Sequence, residues 1–195
     1  MVRISRLLPP RRLAEYDSQT MISKLFSRVA FIPSLLWNVT ICRVLRIWNW
    51  WDQVDDQLYV GARPFPSDVA KLHQLGVRAV VNTCEEYEGP LEEYKKFEIT
   101  QLYLPTIDFT PPTLADVQAG VDFIEKHQAQ GETVYVHCKA GRGRSATIAL
   151  CAMMKKHGID PEQALRRLQA GRKQVLKSLP EREVVKEYWA SISPS

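Results

Sequence analysis

The sequence predicts an α/β fold: a mainly parallel central sheet flanked by helices, preceded by an amphipathic helical arm. Three observations carry this. After residue 52, short β-branched runs alternate with stretches of helical spacing, as parallel strands joined by crossover helices require. Gly76, Gly131 and Gly171 stand where helical stretches stop, the usual place of glycine at helix ends. A chain of 195 residues that is 45% hydrophobic and 25% charged is able to bury one real core.

Taken in order, Leu58–Gly61 reads as a short strand, and Ser67-Asp68 caps a helix running to Leu75. Arg78–Thr83 is a buried strand, Leu91–Phe97 a helix, and Gln101–Leu104 the next strand. Leu114–Gln130 has helical periodicity. Thr133–Val136 is a strand feeding a glycine-containing loop, and a helix follows from Arg144 to His157. Pro161 opens a helix ending at Gly171, and Pro180–Trp189 forms the last one.

The arm, residues 1–51, differs in charge from the domain expected over 52–195. It holds eight Lys or Arg against Glu15 and Asp17, giving +6, whereas the remainder holds 18 basic and 20 acidic residues, giving −2. A nucleic-acid-binding domain would carry its own basic face, so no nucleic-acid partner is expected. Residues 1–28 read either as a mitochondrial transit segment or as a basic tail. From Leu35 to Trp51 a helical projection gathers Leu36, Trp37, Thr40, Ile41, Val44, Leu45, Ile47, Trp48 and Trp51 on one face. Asn38, Cys42, Arg43, Arg46 and Asn49 lie on the other, with Leu35, Val39 and Trp50 as exceptions. Four of the five tryptophans fall here, which suits a helix in a membrane interface. Docking on the domain over 52–195 is the alternative. The longest uncharged run, Val29–Cys42, is interrupted by Pro33 and is too short to span a bilayer.

Cys42, Cys84, Cys138 and Cys151 form no Cys-x-x-Cys pair and have no zinc-type histidine spacing. Neither a metal nor a disulfide scaffold is expected, and no cofactor is called for. A reducing compartment fits, and a thiol nucleophile needs one.

The chemistry is concentrated in His137-Cys138-Lys139-Ala140-Gly141-Arg142-Gly143-Arg144-Ser145, which leaves a strand and opens a helix. Such a curl turns successive N–H groups inward at the positive end of a helix, making an oxyanion trap. A thiol held there loses its proton readily and becomes a nucleophile. The guanidinium of Arg144, six positions on, offers a planar fork to two phosphoryl oxygens.

This stretch resembles the signature of the protein-tyrosine-phosphatase superfamily, in its dual-specificity branch. The resemblance implies a dual-specificity-phosphatase-like fold and catalysis through a phosphocysteine on Cys138. Arg144 and the amides of Lys139, Ala140, Gly141, Arg142 and Gly143 would grip phosphate. Ser145 would help the sulfur leave, and His137 would brace the loop. The family keeps an acid on an earlier loop, and Asp108, 30 positions before Cys138, is the candidate general acid and base; a turn-capping role is its alternative.

Cys-Lys-Ala-Gly-x-Gly-Arg further resembles the loops of phosphoinositide phosphatases. Glu85-Glu86-Tyr87-Glu88 resembles the mitochondrial family that converts phosphatidylglycerophosphate to phosphatidylglycerol on the route to cardiolipin. Arg28–Asn38, Trp51–Asp55 and Gly61–Pro66 share that likeness, which covers residues 28–192. Cys84 stands where that family often has Asn, and a redox partnership with Cys138 is one reading of it, a packed thiol the other. The resemblance implies an anionic phospholipid substrate, membrane contact through residues 29–51, and the matrix face of the mitochondrial inner membrane; a monomer is expected. The rival expectations are a dual-specificity protein phosphatase, a phosphoinositide phosphatase, and a phospholipid-binding module without turnover.

Overall fold

The structure, a computed structural model, describes residues 33, 35–37, 39–45 and 47–193. The expected basic tail, 1–28, and the arm residues 29–32, 34, 38 and 46 lie outside the described residues.

Strand pairing begins inside the segment expected to be the end of the arm helix. Trp51–Asp55 (β1) pairs antiparallel with Leu58–Gly61 (β2), whereas the helical projection had carried the helix through Trp51. Residues 35–37 and 39 are α-helical and run into one wide turn at Thr40–Val44, after which the chain is irregular. Tertiary contacts override the helical periodicity there. The Trp50 indole donates to the Arg63 carbonyl at 3.0 Å and stacks on Phe65, and Ala62 N–H donates to the Trp50 carbonyl at 2.9 Å.

Beyond β2 come Val69–Gln74 (α1), Val77–Cys84 (β3), Leu91–Lys96 (α2), Thr100–Thr106 (β4) and Leu114–Gln128 (α3). Thr133–His137 (β5), Arg144–His157 (α4), Pro161–Gly171 (α5) and Glu183–Ile192 (α6) complete the order. The five strands lie as β1-β2-β5-β3-β4, and every pairing except β1 with β2 is parallel. Parallel strands buried on both faces read as continuous apolar runs, as in Ala79-Val80-Val81 of β3. Pleating then sorts the side chains: β5 sends Val134 and Val136 to the larger core with α3, α4, α5 and α6, and Tyr135 to the smaller one with α1 and α2.

Local sequence sets the helix ends. Thr113 caps α3 and is answered by Asp116; Asp160 caps α5 and is answered by Gln163. The last helix starts at Glu183, not at Pro180 as its sequence suggested. Leu179 and Pro180 are buried, and the chain turns through a bond from Arg182 N–H to the Leu179 carbonyl before helix begins.

The arm divides its apolar residues. Leu35, Ile41, Cys42 and Trp50 pack with Ala62 in a separate small core. Leu36, Trp37, Leu45 and Ile47 stay exposed. Of the docked residues, Leu35 and Trp50 are exceptions to the helical projection and Cys42 belongs to its polar side. Most of the projected apolar face therefore remains open.

Candidate active site

β5 ends at His137, α4 begins at Arg144, and the loop between them faces the gap where β3 and β4 also end. Ligands of open α/β sheets collect at such carboxyl ends. The curl depends on glycine: Gly141 has φ +67°, and a Cβ there would lie 2.4 Å from the Gly61 backbone. An L side chain would be both strained and overlapped.

Each loop carbonyl is held outward. Arg63 N–H reaches the Lys139 carbonyl at 3.4 Å and Leu176 N–H the Arg142 carbonyl at 3.0 Å. Arg172 donates through Nη2 to Ala140 O at 3.0 Å and through Nε to Gly141 O at 2.9 Å. Thr147 N–H takes the Gly143 carbonyl at 2.9 Å. With carbonyls tied outside, amides are left to face the enclosed space, a nest for an anion. Arg172 is itself fully buried and neutralised by Asp52 at 2.6 Å.

Inside the curl, Cys138 Sγ accepts from Gly141 N–H at 3.2 Å and from Ser145 Oγ at 3.3 Å. Burial pushes the thiol up. The Arg144 charge and the Ser145 and Ala140 hydrogen bonds more than offset this and bring it to about 7. A large thiolate fraction therefore exists at neutral pH. His137 is buried neutral: desolvation, with Arg144 and Arg63 nearby, drives it down to about 3 despite its bond to the Cys138 carbonyl.

Arg144 is 3% exposed and donates Nη1 to Glu86 Oε2 at 2.9 Å and to the Thr106 carbonyl at 2.7 Å. Its Nη2 lies 2.8 Å from Asp108 Oδ1, yet among the described residues no acceptor lines up with its N–H bonds. That contact is an ion pair without a hydrogen bond, so buried donors stay unspent. A phosphoryl oxygen supplies what they lack. Asp108 also pairs with Lys139. The next residue, Phe109, has φ +66° and is 68% exposed, a conformation costing a bulky residue about 1 kcal/mol or more.

The structure thus gathers Cys138, Asp108, Arg144, Ser145, Lys139 and Glu86 at one point. Arg142 lines the cavity above but is engaged there, giving Nε to the Gln174 carbonyl and lying 5.3 Å from the Trp48 ring. Tyr87 braces the rim by donating to the Pro64 carbonyl at 2.7 Å. Glu85 and Glu88 contribute backbone carbonyls, to Tyr103 and Gln101. Cys84 donates to Glu86 Oε2 at 3.1 Å, and burial pushes its thiol far up. Arg172 and Arg182 escaped sequence reasoning.

Above the loop opens a cavity of about 340 Å³, where Trp37, Trp48, Phe109 and Leu176 line it beside Arg182 and the loop itself. Such a size accommodates a small-molecule headgroup.

A thiolate in an amide nest, backed by a buried guanidinium and a neighbouring carboxyl, defines a cysteine-dependent phosphatase. The chain belongs to the family of dual specificity phosphatase catalytic domains, which residues 58–189 match. It is similar to phosphatidylglycerophosphate phosphatase PTPMT2 of Arabidopsis thaliana, with 38% identity across 86% of this chain and 75% of that one. It is likewise similar to phosphatidylglycerophosphatase and protein-tyrosine phosphatase 1 of Mus musculus, with 37% identity across 86% and 91%. Among solved structures, PTPMT1 in complex with PI(5)P superposes with TM-score 0.68 and 37% identity, over 74% of this chain and 97% of that one.

Proposed function

We propose that this phosphatase removes the terminal phosphate of phosphatidylglycerophosphate, with the first 51 residues serving as a membrane-contacting arm. The carrying observation is the cavity: its floor is the anion cradle, while Trp37, Trp48, Phe109 and Leu176 line it. Trp37 and Phe109 are 64% and 68% exposed. A cradle for phosphate opening among exposed apolar side chains suits a headgroup still attached to its lipid. The names of the Arabidopsis and mouse relatives support the same substrate.

In this mechanism Cys138 thiolate attacks phosphorus, forming the S–P bond as the bond to the glycerol oxygen breaks. The phosphoryl oxygens take the spare donors of Arg144 and the loop amides, displacing Asp108 from its ion pair. Asp108, protonated, gives its proton to the departing alkoxide. Water then attacks phosphorus, Asp108 takes the proton back, and Ser145 donates to the sulfur as it leaves with the S–P electrons. The products are phosphatidylglycerol and orthophosphate. His137, neutral and buried, braces the loop, and Glu86 orients Arg144. Work at the matrix face of the mitochondrial inner membrane, supplying cardiolipin synthesis, accords with this substrate.

Phosphate release from phosphatidylglycerophosphate, a phosphoinositide panel and phosphopeptides, with Cys138→Ser as blank, tests the reading. Phosphatidylglycerophosphate is expected to be turned over fastest. Equal or faster turnover of peptides would reject the lipid substrate, and no turnover of anything would leave a binding module.

A further inference from the structure

Four cations line the cavity: Lys139, Arg142, Arg144 and Arg182. Lys139 and Arg144 both meet Asp108, and Arg144 also meets Glu86. Among the described residues, Arg142 and Arg182 pair with no carboxylate. Arg142 is occupied otherwise, through the Gln174 carbonyl and the Trp48 ring.

Arg182 is the exception that asks for a ligand. It reaches back from the turn before α6, and its Nη1 donates to Thr147 Oγ1 at 2.7 Å and, more weakly, to the Gly143 carbonyl at 3.5 Å. Its Nη2 takes no acceptor among the described residues and lies 3.4 Å from where a Cβ on Gly143 would stand. The guanidinium therefore rests on the loop one residue from Arg144, on the cavity side. Buried Arg172 is matched by Asp52, and even the exposed Arg43 and Arg167 have carboxylates, Asp68 and Asp55. A partly desolvated charge left without a counter-ion is unfavourable, and burial does lower the Arg182 pKa, with only the Cys138 thiolate opposing. An anion from outside relieves this.

We infer that Arg182 holds the second phosphate of the substrate, the phosphodiester that links glycerol to diacylglycerol. The inference rests on the lipid reading and names the feature that the enzyme would use to choose among lipid phosphates. Arg182 touches Gly143, the residue beside Arg144, and lines the same cavity, which sets a diester on Arg182 next to a phosphomonoester on the Cys138 loop. Gly143 is part of the fit, since a side chain there would come within 3.4 Å of both Leu176 and Arg182. Arg182 acts as a specificity residue, binding a part of the substrate remote from the reacting bond.

The test uses the full chain and two lipids with matched acyl groups in mixed micelles: phosphatidylglycerophosphate and phosphatidic acid. Both present a phosphomonoester, and only the first has a diester phosphate. Wild-type protein is expected to favour the first in kcat/KM. Arg182→Gln should lower kcat/KM for phosphatidylglycerophosphate by about tenfold or more, the size of one charge-assisted hydrogen bond. The loss should appear mainly in KM, and phosphatidic acid should lose a clearly smaller factor, so that the preference contracts. Arg182→Lys should keep part of it. Equal losses on both lipids would overturn the subsite and leave the lipid reading standing. Equal use of the two lipids by wild type would overturn the subsite too, since the diester would contribute nothing. Faster turnover of phosphopeptides than of either lipid by wild type would overturn both readings together.

Discussion

Two neighbouring strands, β3 and β5, end at two cysteines with opposite chemistry. Cys84 closes β3 and Cys138 follows β5. Both are buried, and burial raises both thiols. Cys138 is brought down to about 7 by Arg144, Ser145 and the loop amides. Cys84 instead faces the Glu86 carboxylate at 3.1 Å, which adds to burial and keeps its proton on. Depth in the protein does not make a thiol reactive; the sign of the surrounding dipoles and charges does. Glu86 takes part on both sides, accepting from the Cys84 thiol and from Arg144 Nη1.

The comparison breaks most completely at the sulfurs. Cys138→Ser is expected to remove turnover by more than about 10⁴-fold, as loss of a nucleophile does, measured as phosphate release. Replacing Arg144 comes next. Arg144→Lys keeps a charge but loses the planar fork, and turnover should fall about 10²–10³-fold. Alkylation sharpens that result. Iodoacetamide labelling of Cys138, followed by mass spectrometry, should climb as pH rises through about 7 in the wild type and level off above. In the Lys variant the midpoint should move upward toward an ordinary thiol; an unchanged midpoint would mean the amides alone hold the thiolate.

Asp108→Asn tests the carboxyl that pairs with Lys139 and Arg144 beside the Cys138 loop. Turnover of an alkyl phosphate should drop about 10²-fold, and that of an activated aryl phosphate much less, because an aryl oxide leaves without a proton. Equal losses would remove Asp108 from the leaving-group step. The smallest effect is expected at Cys84. Cys84→Ser should leave turnover within a few-fold, and Cys84 should resist alkylation throughout the range in which Cys138 titrates. A large loss, or a Cys84–Cys138 disulfide recovered after peroxide, would restore the redox reading of this pair.

Legibility followed the length of chain over which each feature is decided. The strands at Leu58–Gly61 and Thr133–His137 and the helices at Arg144–His157 and Pro161–Gly171 were readable because caps, glycines and apolar spacing act within a few residues. β1 was missed because Trp51–Asp55 has no strand pattern of its own and extends by pairing with β2. The arm helix holds at 35–37 and 39–44 among the described residues but stops short of Trp51 for the same reason, since the docked side chains of Leu35, Cys42 and Trp50 answer to Ala62 and its surroundings, not to one helical face. Asp108 was identified as a carboxyl on a loop, but its dual pairing with Arg144 and Lys139 required the chain after β4 to reach past the end of β3 to the loop after β5.

The sequence by itself determined the reactive loop, because nucleophile, amide donors, glycine bends and guanidinium all lie within seven consecutive residues, 138–144, whose backbone geometry is local. Only the tertiary structure decided what surrounds it: Arg172 gripping the outward carbonyls from α5's end, Glu86 turning Arg144, two of the arm's tryptophans lining the cavity, and Arg182 facing it without a carboxylate among the described residues. Those contacts join segments tens of residues apart, and they exist only once sheet and helices have packed and water has been excluded, which is when an unpaired charge acquires its meaning.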